Sequence, residues 1–402
     1  MTRLYAGAAL GAFAIALQAS PTMAQEAPAA AQSSDEPRQS EIIVTGTRRS
    51  DLTAADAALP IDIISGDDLI EKGASDMNDL LRTEVPSLNI QRLVSNDGAV
   101  FTRPFSLRGL PPDQTLVLVN GKRRHRGATV QFTNVPYIRG SQGPDLAAIP
   151  SIAVGQLEVL RDGASALYGS DAIAGVLNFG LRRDREGGIL IARYGQYYEG
   201  DGQDFLVQGN LGLPFTDMGF VNISGEYVNS DTTSRGIQRP DAQALINAGV
   251  QGVPVPAQRW GNPKTEAARI FVNAGLELSD NMDFYTFGNY SWSKGTTAFF
   301  YRNPNTTFIA TSIPTTNVAG GPRFSLRQNY PGGFTPDFGA TITDAALAAG
   351  LKGEFGSGLT YDVSASYGQN HASYRIDNTV NPSLGLTSPT SFKPGQLEQR
   401  EL

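Results

Sequence analysis

Side chains able to do chemistry are few in this sequence. Among 402 residues there is no cysteine, and the only histidines are His125 and His371. That removes disulfide scaffolds, zinc ribbons and thiol nucleophiles. A nucleophilic triad has little to draw on, because the two histidines sit on distant and dissimilar segments. Asp and Glu are scattered, with no spacing that selects a carboxylate pair for acid–base work. The stretch from Gly163 to Gly169 lacks the Gly-Lys-Ser/Thr ending of a phosphate loop, and a turn that needs positive φ accounts for its glycines. The expectation is a protein with no enzymatic activity, no resident metal and no cofactor.

The densest charge is Lys122-Arg123-Arg124-His125-Arg126. Clustered cations can neutralise phosphates, but Lys plus Arg at 32 against Asp plus Glu at 39 leaves the chain at −7, which argues against a nucleic-acid partner. The cluster follows Thr115-Leu-Val-Leu-Val119 and Asn120-Gly121, the signal of a hairpin with a type I′ turn, since both central positions need positive φ. A structural role on the surface of that hairpin is one reading of Arg123, Arg124, His125 and Arg126, and ligand contact is the other. Arg108 and Arg161 with Glu158 and Asp162 supply opposite charges for a charge-assisted network.

The elements that must position these residues fall into zones. Residues 1–24 open with Arg3, run apolar from Leu4 to Leu17 and close on small residues at Ala24, the pattern of a cleaved secretory signal peptide. The run is shorter than the roughly 20 residues of a spanning helix, and no other segment approaches that length, so life in a membrane would require a barrel. Residues 25–55 read as a polar linker carrying one β-branched island, Glu41-Ile42-Ile43-Val44-Thr45-Gly46. Such a peptide either adds to the sheet edge of a partner or begins the next domain.

Residues 56–186 read as a compact α+β domain. Pro60 to Ile64 is a strand, and Ser65 caps a helix that carries Asp67 and Asp68 and stops at Gly73. Ser75 caps a second helix with Leu80 and Leu81 on its apolar face, ended before Pro86. From Gly187 the period becomes two. Ile270, Val272, Ala274, Leu276 and Leu278 alternate with Arg269, Phe271, Asn273, Gly275 and Glu277, and Leu359 to Tyr367 repeats the pattern. With five less regular segments near 188–198, 204–213, 218–229, 283–293 and 347–355, this makes seven strands, each about ten residues long. The connections after the second, fourth and sixth are short and those after the third and fifth are long, with the short one after the first, near Glu199 to Gly202, outside the pattern. Outer-membrane barrels sort their loops in this way, and a soluble sandwich has no reason to.

Four stretches together resemble the TonB-dependent outer-membrane receptors: EIIVTGTRR at 41–49, like a TonB box; SLRGL at 106–110, with Arg108 and Gly109; LVLVNGKRRHRGA at 116–128; and IPSIAVGQLEVLRDGASALYGSDAIAGVLNF at 149–179. NTVNPSLGLTSPTSF at 378–392 is similar to an extracellular loop of many such receptors. The resemblance implies an N-terminal plug inside a 22-stranded barrel in the outer membrane. It also implies a small-molecule ligand such as a metal–siderophore complex, and an inner-membrane energy-transducing protein of the TonB type that pulls on the box. It places Arg108, Gly109, Glu158, Arg161 and Asp162 in a plug network or between plug and barrel wall.

Seven or eight strands, followed by Gln399-Arg400-Glu401-Leu402, are only part of such a barrel. A barrel of about eight strands has an interior filled by its own side chains and cannot enclose a plug. The expectation is an α+β plug followed by an apparently truncated antiparallel transmembrane barrel over 187–402. Energy-coupled uptake of a scarce ligand, a ferric siderophore first among the candidates, is the leading function. The alternative is a non-transporting product whose plug serves as a periplasmic binding module.

Overall fold

The computed structural model describes residues 61–73, 76–94, 97–132, 138–161, 166, 168–306, 313–314 and 323–402. The signal peptide, the linker with Glu41 to Gly46, Ser75 and Asp162 lie outside the described residues.

The plug contains strands β1 (Ile61–Ser65), β2 (Leu88–Ile90), β3 (Phe105–Leu107), β4 (Thr115–Val119), β5 (Lys122–Arg123), β6 (Val154–Leu160) and β7 (Gly175–Leu181), with helices α1 (Gly66–Glu71), α2 (Met77–Glu84) and α3 (Ala99–Thr102). Its main sheet runs β1-β6-β7-β4-β5, with β4 and β7 parallel and the other pairs antiparallel. Local chemistry sets the element ends. The Ser65 side chain accepts from Asp67 N and Asp68 N, so α1 is capped as its sequence requires, and Gly73 follows it with φ 79°. The cap of α2 is Asp76, whose carboxylate accepts from Asn78 N. Asn120 and Gly121 have φ 48° and 75°, the left-handed pair that a two-residue hairpin turn needs.

Eight strands then form one antiparallel sheet: β8 (Gly188–Gly195), β9 (Asp204–Pro214), β10 (Gly219–Ser230), β11 (Lys264–Ser279), β12 (Met282–Ala298), β15 (Asp337–Glu354), β16 (Thr360–Asp377) and β17 (Ser391–Glu401). The short pair β13 (Ile313–Pro314) and β14 (Arg323–Phe324) lies in the loop between β12 and β15. Helix α4 (Pro240–Asn247) lies between β10 and β11, and α5 (Leu326–Asn329) precedes β15. The loop-length alternation is present: tight turns join β9 to β10, β11 to β12 and β15 to β16, while residues 231–263 and 299–336 form the long connections. The strands exceed the ten residues expected, β15 and β16 reaching 18, and β17 is a strand that its polar sequence concealed.

The alternation has the polarity of a membrane wall. On β11, Ile270, Val272 and Leu278 are exposed, while Phe271 and Asn273 on the other face are buried against the plug. The main apolar cluster of the plug, built from Leu80, Leu81, Leu157, Leu177 and Phe179, is continuous with Phe271, Phe287 and Ala348 of the wall.

Candidate functional site

The type I′ turn delivers the chain after β5 onto the wall. Arg124 N still donates to Val117 O of β4 at 2.9 Å; beyond it the backbone donors leave the sheet, Gly127 N going to Gly143 O at 3.0 Å and Ala128 N to the Asn370 side chain at 2.8 Å. Asn120 itself bridges plug and wall. Its Oδ1 accepts from Leu181 N at 2.9 Å and its Nδ2 donates to Asn273 Oδ1 at 3.1 Å.

Asp344, buried in the middle of β15, is the acceptor on which this segment converges. Arg124 Nη2 and Asn289 Nδ2 (3.0 Å) reach Oδ1, while His125 Nε2 (2.8 Å) and Asn370 Nδ2 (3.0 Å) reach Oδ2. Arg124 also donates to Asn289 Oδ1 at 2.6 Å. Sheet register makes the cradle, since Asn370 pairs directly with Asp344 and Asn289 lies two positions from its partner Ser291 on β12. The side chains of Arg124 and Asp344 are 4% and 2% exposed, so the charges are taken from water and held only because each finds partners. Gly368 opens the space: a Cβ there would lie 2.3 Å from His125 Cγ.

A second carboxyl stands close. Asp145 caps a short 3-10 turn, its Oδ1 accepting from Ala147 N at 3.1 Å. Burial, reinforced by the nearby Asp344 charge, pushes the Asp145 carboxyl up to about 7. Around this centre the seam continues with Lys122 to Asp362 at 2.8 Å, Arg126 Nε to Glu401 at 2.9 Å, and the Thr129 and Tyr374 hydroxyls 3.0 Å apart.

Above the seam a cavity of ≈ 570 Å³ separates α2 and α3 from the loop-proximal ends of the wall strands, lined in part by Asp76, Asp79, Arg92, Arg103 and Arg193. Arg103, held in the left-handed region at φ 48°, donates to Asp76 at 3.1 Å and to Asp79 at 2.6 Å, and Arg92 donates to Asp79 at 2.6 Å. Burial raises the Asp79 carboxyl, but Arg103 and Arg92 outweigh it and hold the group below its ordinary range. Among the described residues no cluster of three or more His, Asp or Glu is arranged to hold a metal ion.

The sequence-selected residues therefore separate into two groups. Arg124, His125 and Arg126 meet the wall, while Arg123 pairs with Asp171 inside the plug. Arg108 donates to Arg161 O at 2.8 Å and Arg161 pairs with Asp62, while Glu158 accepts from Gln156 at 2.7 Å and Asn178 at 3.1 Å. Gly109 turns the chain at φ 79°. Sequence reasoning missed Asp344, Asn289 and Asn370. The signal was an acid in the inward row Phe338, Ala340, Ile342, Asp344, Ala346, Ala348, where the other members are apolar.

Comparison with known proteins agrees with this architecture. Residues 53–176 match the family model described as the TonB-dependent receptor plug domain. The iron-regulated outer membrane virulence protein of Vibrio cholerae is 31% identical over 182 residues, 44% of this chain and 26% of that protein. Among solved structures, a variant of the ferric enterobactin receptor PfeA from Pseudomonas aeruginosa superposes with TM-score 0.55 at 18% identity, covering 85% of this chain and 44% of that one. The siderophore receptor PirA from Acinetobacter baumannii gives TM-score 0.50 at 16% identity, with 85% and 43% covered. The chain thus spans less than half the length of the receptors whose fold it shares.

Proposed function

We propose that this chain, which carries the plug domain of a TonB-dependent receptor and the antiparallel barrel strands that follow it, serves energy-coupled uptake of a scarce ligand across the outer membrane, the ligand being a ferric siderophore. The family consists of transport receptors rather than enzymes, and the work required is binding and gating without bond chemistry. The observation that carries this reading is the seam at Asp344. Beside the apolar contact with Phe271, Phe287 and Ala348, the plug is tied to the wall by buried, directional polar contacts that share one carboxylate and are lost together when it lets go. Glu41 to Gly46 is the segment on which an inner-membrane energy transducer of the TonB type would add as a strand and pull.

The test is uptake of iron-labelled ferric siderophores by cells carrying the complete locus, with ferric enterobactin as the first probe because PfeA is named for it. Val44→Pro removes one backbone donor and fixes φ, so uptake should fall to background while binding at the cell surface persists. Equal uptake by wild type and this variant would refute the assignment of the segment, and failure of every siderophore in the panel would refute the ligand class.

A further inference from the structure

The outward face of the wall changes character at its loop-proximal end. Lower down on β12, β15 and the start of β16 it is apolar, with Phe284, Tyr290, Leu347, Leu351 and Val363 exposed to the membrane side, while the β16–β17 edge carries Gln369, His371, Glu398 and Arg400. Near the ends of β12, β15, β16 and β17 it becomes a groove of ≈ 420 Å³ whose lining includes Lys294, Thr341, Ser373, Arg375, Lys393 and Gln396. Register aligns these residues. Lys294 pairs with Thr341, Thr341 with Ser373 and Ser373 with Gln396, a polar row across four strands. The next row carries Thr296, Gly339 and Arg375. That Lys294 faces outward follows from Gly295, whose missing Cβ makes room for Phe101 of the plug on the inner side.

The β16–β17 pairing is bulged at this point: Tyr374 pairs with Gly395 and Ile376 with Phe392, so Lys393 and Pro394 together oppose Arg375. A bulge re-aims a side chain, and here it sets a second cation beside the first. Two carboxylates nearby are paired with cations, Asp377 with Arg375 at 2.6 Å and Glu398 with Arg400 at 2.7 Å; Glu266, across from Lys294, accepts from the neutral Tyr227 hydroxyl at 3.0 Å and leaves Lys393 and Arg375 as the stronger end of the groove. Lys294 and Lys393 form no ion pair among the described residues.

Height identifies what meets this groove. From Phe284 to Lys294 the strand advances ten residues, about 26 Å of height at roughly 3.4 Å per residue and a tilt near 40°, which matches the ≈ 25 Å apolar band of outer-membrane barrels. The cations therefore stand where lipid headgroups of the outer leaflet begin. We infer that this groove binds the phosphorylated headgroup of an outer-leaflet glycolipid, fixing the barrel wall laterally at the membrane boundary. The inference rests on the outer-membrane reading above but not on ligand uptake, and its readout is separate.

The test uses the full-length protein in neutral detergent micelles, titrated with bis-phosphorylated lipid A and followed by native mass spectrometry. At about 1 kcal/mol for each basic residue near an anionic lipid surface, Lys294→Gln with Lys393→Gln should weaken retention about 30-fold. Lys294→Arg with Lys393→Arg should retain it, as should Lys72→Gln in the plug, which controls for loss of charge alone. The inference is overturned if the Gln pair binds within threefold of wild type while its circular dichroism is unchanged, or if lipid A stripped of phosphate binds equally well. Complete displacement by millimolar inorganic phosphate would also overturn it, assigning the groove to a free anion.

Discussion

Replacing Asp344 with Asn tests the seam most directly. The amide keeps the shape of the carboxylate but offers one acceptor oxygen where four donors converge, two on each wild-type oxygen. Turned toward His125 and Asn370, the new NH₂ donates to His125 in its other tautomer, but Asn370 Nδ2 is left without an acceptor at about 1–3 kcal/mol. Arg124, 4% exposed, also loses its buried counter-charge, a change that typically costs about 3–5 kcal/mol. The two terms describe the same broken contacts and do not add, so the docked state of residues 122–131 should lose about 3–5 kcal/mol. That corresponds to a rise of about 10² to a few times 10³ in the population of the opened segment. Amide hydrogen exchange reads this, because Ala128 N–H is held by Asn370, itself positioned by Asp344. Protection over 122–131 should fall by at least about a hundredfold, with the β11–β12 ladder unchanged. Protection that stays within threefold of wild type would refute the latch. A double-mutant cycle with Arg124→Gln adds a second check: coupling below about 0.5 kcal/mol would mean that the pair does not act as one.

Further consequences follow from the same geometry. Asp145 has its carboxyl raised to about 7 in the folded protein from 3.8, so its contribution is fully present below pH 4 and is lost as pH rises through 7; at about 1.4 kcal/mol per pH unit the ceiling is ~4 kcal/mol. Thermal denaturation of wild type should therefore show seam stability falling between pH 4 and 7, a slope that Asp145→Asn removes, and an unchanged slope in the variant would refute the assignment. Gly368→Ala places a methyl 2.3 Å from the His125 ring and should displace it, giving the exchange phenotype of Asp344→Asn with the carboxylate intact. Asn120→Gly keeps the turn at φ 48° but loses the bonds to Leu181 and Asn273, whereas Asn120→Ala also strains the backbone; Ala should be the less stable by about 1 kcal/mol in denaturant titration.

Local chemistry decides local structure in this chain. The Ser65 cap, the Asn120-Gly121 turn, the period-two alternation from Gly187 and the short-then-long loops are all functions of residues close in sequence, so the sequence alone shows them. The same is true of the plug signature over 149–179, together with the cationic run at 122–126. The length of the strands was less legible, because the upper parts of β15, β16 and β17 leave the apolar band and their alternation fades into polar residues. What the cations do could not be read from the sequence. Arg124 and Asp344 are separated by 220 positions, and nothing in either neighbourhood names the other. Only packing of the sheet against the plug brings them together, and only burial turns a flexible charge into one that must be paired. The same holds for Lys294, Arg375 and Lys393, scattered in sequence over three strands and gathered by register and one bulge. Sequence determines the periodicity of each strand; the sheet determines which side chains become neighbours, because hydrogen-bonded register is a property of pairs of strands.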